Sequence, residues 1–135
     1  MKTLIEPLIA TALDRLDIAP EHRTKVAIER ARGSGHGDFA SNAALMLAGI
    51  TGTQPRELAA RIVTALPDSP LLARCEIAGP GFINFFLTPA AWHQQLQTLL
   101  DTGDSWGHRP SVNGPRILIE FVSANPTGPL HVGHG

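Results

Sequence analysis

Apolar residues recur at helical spacing from the first turns of the chain. Leu4, Ile5, Leu8, Ile9, Ala12, Leu13 and Leu16 share one face, which predicts an amphipathic helix through about Leu16. Thr3-x-x-Glu6 reads as its capping box, with Pro7 in the first turn, where proline does least damage. Asp17 to Glu21 form a turn, and Lys25 to Arg30 alternates Val26 and Ile28 with charged or small neighbours, as a half-buried strand does. The glycine-rich run Gly33-Ser-Gly-His-Gly-Asp38 follows, with Asp38 placed to cap a second helix. That helix runs from Phe39 to Ile50, with Phe39, Ala43, Met46, Leu47 and Ile50 on one face and Gly52 ending it. Pro55 opens a third helix to about Leu66, turning Leu58, Ala59, Ile62 and Val63 inward, until Pro67-Asp-Ser-Pro70 breaks it.

Farther on, the period changes. Cys75 to Ala78, a Gly79-Pro-Gly81 bend and Phe82 to Leu87 predict two strands joined by a tight turn. Thr88-Pro89 starts a helix to about Leu100, and Gly103 closes it. Asp104 to Gly114 holds two glycines and a proline and is the best linker candidate. Helices mixed with a few non-consecutive strands make residues 1–108 an α+β domain. A new apolar strand then begins at Ile117, Leu118, Ile119 and Phe121, and a Pro/Gly loop leads to His131-Val132-Gly133-His134. That order is the start of a strand-loop-helix nucleotide site, in which the unpaired N–H groups and dipole of the helix hold phosphate. The chain therefore reads as one complete domain, 1–108, plus the truncated start of a Rossmann-type domain, 109–135.

Composition narrows the chemistry. The 135 residues are 43% hydrophobic and contain no apolar run long enough for a membrane span, nor a signal peptide. A single cysteine, Cys75, lies in a strand-like run and reads as a packed, reduced thiol. These features suit a cytoplasmic protein. Net charge is −1, so RNA contact here would rest on shape and bases rather than on phosphate attraction. Arg15, Arg23, Lys25, Arg30 and Arg32 are interleaved with Asp14, Asp17, Glu21 and Glu29, which describes a self-neutralising surface.

Three groups of residues carry candidate chemistry. His131 and His134, three apart at a helix start, could donate to phosphates, while Gly133 leaves room for a base to approach the backbone. A zinc pair is the weaker reading, because no third ligand is near in sequence. Glu120 ends an apolar strand, where open α/β sheets bind ligands; its carboxylate could pair with an ammonium or guanidinium group, or merely cap the loop. Phe82 and Asn84 alternate on one strand face, so a ring and an amide there could stack on a splayed base and read its edge. Core packing is the alternative for Phe82 and the favoured reading for Phe85 and Phe86. Asp38 and Asn42 read as structural polar groups at a helix start, and His36 as solvated.

Several of these stretches also resemble a known family. Glu120-Phe-Val-Ser-Ala-Asn-Pro-Thr-Gly-Pro-Leu-His-Val-Gly-His-Gly135 is similar to the first signature of class I aminoacyl-tRNA synthetases, most closely the arginyl-tRNA synthetases. Gly35-His-Gly-Asp-Phe-Ala-Ser-Asn42 and Ala78-Gly-Pro-Gly-Phe-Ile-Asn-Phe85 resemble the hallmarks of their additional N-terminal domain. The resemblance implies a small antiparallel sheet backed by helices that contacts the D-loop at the tRNA elbow, with Phe82 and Asn84 as the contacting residues. It further implies ATP at His131, Gly133 and His134, the histidines being catalytic, and arginine at Glu120, Ser123 and Asn125. The implied parent is a monomeric arginine–tRNA ligase that forms arginyl-adenylate from ATP, with Mg²⁺, and transfers arginine to tRNA-Arg. On this reading the 135 residues alone are inactive. A stand-alone RNA-binding module and a structural domain without RNA contact are the alternatives.

Overall fold

The computed structural model of the chain describes residues 2–31, 33, 35–108, 117–120 and 128–129. It forms two compact units, Met1–Asp104 and Ser105–Gly135. The first contains α1 (Lys2–Arg15), β1 (Ile28–Arg30), β2 (Phe39–Ser41), α2 (Ala43–Thr51), α3 (Pro55–Ala65), β3 (Leu72–Ala78), β4 (Phe82–Leu87) and α4 (Pro89–Thr102). The strands form one sheet in the order β1-β2-β4-β3, and each neighbouring pair is antiparallel. This is the α+β architecture that the mixed periodicity predicts.

Local chemistry fixes most element ends. α1 closes in a Schellman motif: Asp17 takes the left-handed conformation (φ 54°), Ile18 N–H reaches Leu13 O, and Asp17 N–H reaches Asp14 O. Ile18 and Leu13 are both buried, which completes the apolar clasp of that motif. The start of α1 differs from expectation. The helix already includes Lys2, so Thr3 is an interior residue rather than a cap, and Pro7 stands beyond the first turn. An exposed Lys2–Glu6 ion pair at 3.7 Å, spaced i, i+4, joins the first two turns. α2 ends at Gly52 in the left-handed region, and α3 and α4 each begin on a proline.

The region 38–50 also departs from expectation. Phe39–Ser41 is a strand, and α2 begins at Ala43 rather than Phe39. Pairing with β4 decides this: Phe39 opposes Phe85, and Ser41 opposes Ile83. The helix correspondingly buries Ala43, Ala44, Leu47 and Ala48, while Met46 and Ile50 are exposed. Asp38 does not cap it; its side chain turns to β4 instead.

One sheet face forms the core. Ile28, Phe39, Ile83 and Phe85 pack with Ile5, Ile9, Leu13, Leu47, Leu58 and Ile62 from α1, α2 and α3. Phe85 is the largest fully buried side chain, and truncating it to alanine would cost about 3–5 kcal/mol. Buried Ser41 is satisfied: its hydroxyl donates to Ala27 O (3.0 Å) and accepts from Ala43 N–H (3.2 Å), supporting the start of α2. α4 leaves Trp92, Leu96, Leu99 and Leu100 exposed.

In the second unit, the strand expected from Ile117 is absent from the described residues. Residues 117–120 have no regular structure, and Ile117, Leu118 and Ile119 are 77%, 96% and 67% exposed. A strand is held by ladder bonds to a neighbour, and among the described residues nothing pairs with this one. Phe121 lies outside the described residues.

Candidate nucleic-acid interface

Strand alternation sends the even-numbered residues of β4 away from the core. Phe82, Asn84 and Phe86 therefore share the outer sheet face, and the registers Ala78↔Phe82, Glu76↔Asn84, Arg74↔Phe86 and Ala40↔Asn84 complete it. Glu29, opposite Ala40, extends the row onto β1. The hairpin that presents Phe82 is pinned to α3. Arg56 Nη1 donates to Gly79 O (2.8 Å), and Gly81 lies so close to Pro55 that a Cβ would stand 2.9 Å from the proline carbonyl.

Phe82 is 41% exposed, which places it on the surface rather than in the core. Asn84 is the opposite case. It is only 5% exposed, although its face is the solvent side of the sheet. Its amide has no hydrogen-bond partner among the described residues, yet no fully buried side-chain nitrogen or oxygen is left unsatisfied. The amide nitrogen and oxygen of Asn84 therefore both retain some exposed surface. Phe85 is core as expected, whereas Phe86 is half-buried on the outer face.

Beside Phe82 lies a cavity of about 310 Å³, lined by Ala27, Glu29, Arg30, Ala31, Ala40 and Asn42 as well as by Phe82 itself. Its lining combines three small side chains, Ala27, Ala31 and Ala40, with the charged Glu29 and Arg30. Asn42 is held there by tertiary bonds and makes no side-chain cap bond: its Oδ1 accepts Ala27 N–H (2.7 Å), and its Nδ2 donates to Lys25 O (3.3 Å). The alternation Ala27, Glu29, Ala31 was the available sequence signal for this cavity. Arg74 and Glu76 were not singled out from sequence either. Their ion pair at 2.8 Å sits on the same face, with the Arg74 guanidinium carbon 3.6 Å from the centre of the Phe86 ring.

The basic residues expected to form a self-neutralising surface are partly structural. Arg15 Nη1 donates to Ala65 O (3.0 Å), and Arg23 binds Ile18 O and pairs with Asp14 at 2.6 Å. Arg32 lies outside the described residues. Of the residues assigned to the catalytic end, Glu120 is exposed in an irregular segment. Ser123, Asn125, His131, Gly133 and His134 lie outside the described residues. Among the described residues no group of three or more His, Cys, Asp or Glu side chains is placed to hold a metal ion, and no helix is long and apolar enough to cross a membrane.

Comparison with known proteins identifies the family to which this fold belongs. The family described as the arginyl tRNA synthetase N terminal domain matches residues 3–87. The whole chain is 52% identical to 24% of the arginine–tRNA ligase of Thiobacillus denitrificans, and 45% identical to the same share of that of Coxiella burnetii. Among solved structures, 99% of the chain superposes on 21% of the Thermus thermophilus arginyl-tRNA synthetase, with a TM-score of 0.59 and 25% identity. The chain thus spans about a quarter of the length of the ligases it matches. It belongs to the arginyl-tRNA synthetase family, with that family's N-terminal domain over residues 3–87.

Proposed function

We propose that this chain is the N-terminal portion of a monomeric, cytoplasmic arginine–tRNA ligase and that its outer sheet face reads the D-loop of tRNA-Arg. Asn84 carries the reading: an enclosed amide without a hydrogen-bond partner among the described residues, flanked on its own strand by an exposed ring at Phe82. A splayed base stacks on such a ring and offers its edge to such an amide. Stacking and edge hydrogen bonds do not themselves require positive charge, which suits a chain of net charge −1. Phe82 supplies sequence-tolerant stacking, and Asn84 supplies selection.

In the parent enzyme, arginine would be activated by ATP and passed to the tRNA. His131, Gly133 and His134 are proposed to hold ATP, with the two histidines donating to its phosphates. Glu120, Ser123 and Asn125 are proposed to bind arginine, the Glu120 carboxylate pairing with a cationic group of the substrate. Mg²⁺ would enter with the ATP phosphates. Because the 135 residues span only about 24% of the ligases they match, we propose that they do not adenylate arginine alone; ATP–pyrophosphate exchange by the purified chain would overturn that.

An NMR titration of the chain with tRNA-Arg, and with a D-loop-substituted form, tests the elbow reading. Shifts centred on Phe82 and Asn84 are expected with the first and not with the second. Equal shifts with both would reduce the interaction to backbone attraction.

A further inference from the structure

The outer face holds a second flat surface that the Asn84 site does not use. Arg74 opposes Phe86 in the β3–β4 ladder, and its guanidinium carbon lies 3.6 Å over the ring centre. Arg74 Nε donates to Glu76 Oε1 at 2.8 Å. Both side chains of that ion pair remain about half exposed, 57% and 49%. The Phe86 ring lies close to the backbone of Gly37, where a Cβ would stand only 3.3 Å from it.

Resting on the elbow reading, we propose that the Arg74–Phe86 pair is a second nucleobase-stacking site, holding a base of the same RNA loop next to the one taken by Asn84 and Phe82. Three features select a base over a phosphate. The guanidinium carbon lies 3.6 Å over the Phe86 ring while the Arg74 side chain stays 57% exposed, so an aromatic ring can add a third layer to the stack. Its charge is already paired with Glu76, which makes it a poor partner for a phosphate and places a carboxylate where a phosphate would be repelled. Its position also fits, because Phe86 follows Asn84 by two residues on the strand, about 7 Å at the usual rise. Antiparallel sheets that read single-stranded RNA use that kind of spacing to stack two or three successive bases on one face. The site is sequence-tolerant, because every base offers a flat face.

The test measures tRNA-Arg affinity of the full chain across a salt series for wild type, Arg74→Ala, Arg74→Lys and Asn84→Ala, with thermal melts of each. Stacking predicts that Arg74→Ala and Arg74→Lys both weaken binding by about tenfold, with the slope of log K on log salt unchanged. Lysine keeps the charge but not the plane, so it should not rescue. Wild-type affinity in Arg74→Lys, or a slope reduced by about one unit in Arg74→Ala, would make Arg74 a phosphate contact and overturn the proposal. Wild-type affinity in both Arg74 variants would also overturn it, leaving a surface ion pair. The Asn84→Ala variant separates the two ideas: if it alone loses affinity, the elbow reading stands without the second site. If none of the variants loses affinity, both fail.

Discussion

Asp38 holds the far end of β4: its Oδ2 accepts the backbone N–H of Leu87 at 2.8 Å, across 49 residues of chain. Its own N–H donates to Phe85 O, also at 2.8 Å. The carboxylate thus carries the β2–β4 ladder one step past its last backbone pair, Phe39↔Phe85. The bond is partly buried and charge-assisted, so losing it costs more than losing a surface contact. Asp38→Ala should destabilise the domain by about 1.5–3 kcal/mol. Asp38→Asn keeps an acceptor oxygen and should cost clearly less. Urea denaturation midpoints check both; equal midpoints for wild type and Asp38→Ala would show that water replaces the bond.

The glycine loop before Asp38 makes a contrast between two of its positions. Gly37 has φ +79°, and a Cβ there would stand 2.6 Å from Phe85 O, which is ladder backbone and cannot move aside. Gly35 has φ +95° with open space around it. Gly35→Ala should therefore cost only the left-handed strain of a non-glycine residue, about 1–2 kcal/mol. Gly37→Ala adds the clash and should exceed about 3 kcal/mol. Thermal melts of the two variants decide it, and equal losses would show that the loop shifts away from β4.

Asn84 and Phe82 should separate stability from binding. Asn84→Ala removes no intramolecular hydrogen bond among the described residues, so its stability should stay within about 1 kcal/mol of wild type. Phe82 is exposed enough that Phe82→Ala should behave similarly. Both should weaken tRNA-Arg binding, Phe82→Ala by about 1–3 kcal/mol if one base stacks on it. Unaltered affinity in both variants would remove the RNA role from this face.

Local signals explain what could be read before the structure. Gly52, Pro55, Pro89 and Gly103 mark helix ends through backbone geometry alone, and all four mark them in the fold. β2 was illegible for a physical reason. Three residues are too few to display a period of two, and Phe39, Ala43 and Leu47 also satisfy helical spacing, with Asp38 in a capping position. Only the pairing of Phe39 with Phe85, 46 residues away, selects the strand. The site divides likewise. Asn84 was visible as a polar residue in an aromatic run, whereas Arg74 gains its meaning from the register that sets it opposite Phe86.

Cys75 opposes Phe85 on the core face, and burial pushes its thiol from 9.0 up to about 11. A thiolate is the nucleophile, so alkylation at about pH 8 should be much slower in the folded chain than in denaturant. The same shift makes stability depend on pH in a defined window. Below about pH 9 the thiol is protonated in both folded and unfolded chains and contributes no slope. Between about 9 and 11 the unfolded chain releases its proton first while the folded chain keeps it, so stability falls as pH rises. Cys75→Ala should flatten that part of the profile relative to wild type. Parallel profiles for the two proteins, measured by urea denaturation across this window, would show that the folded thiol titrates as freely as the unfolded one.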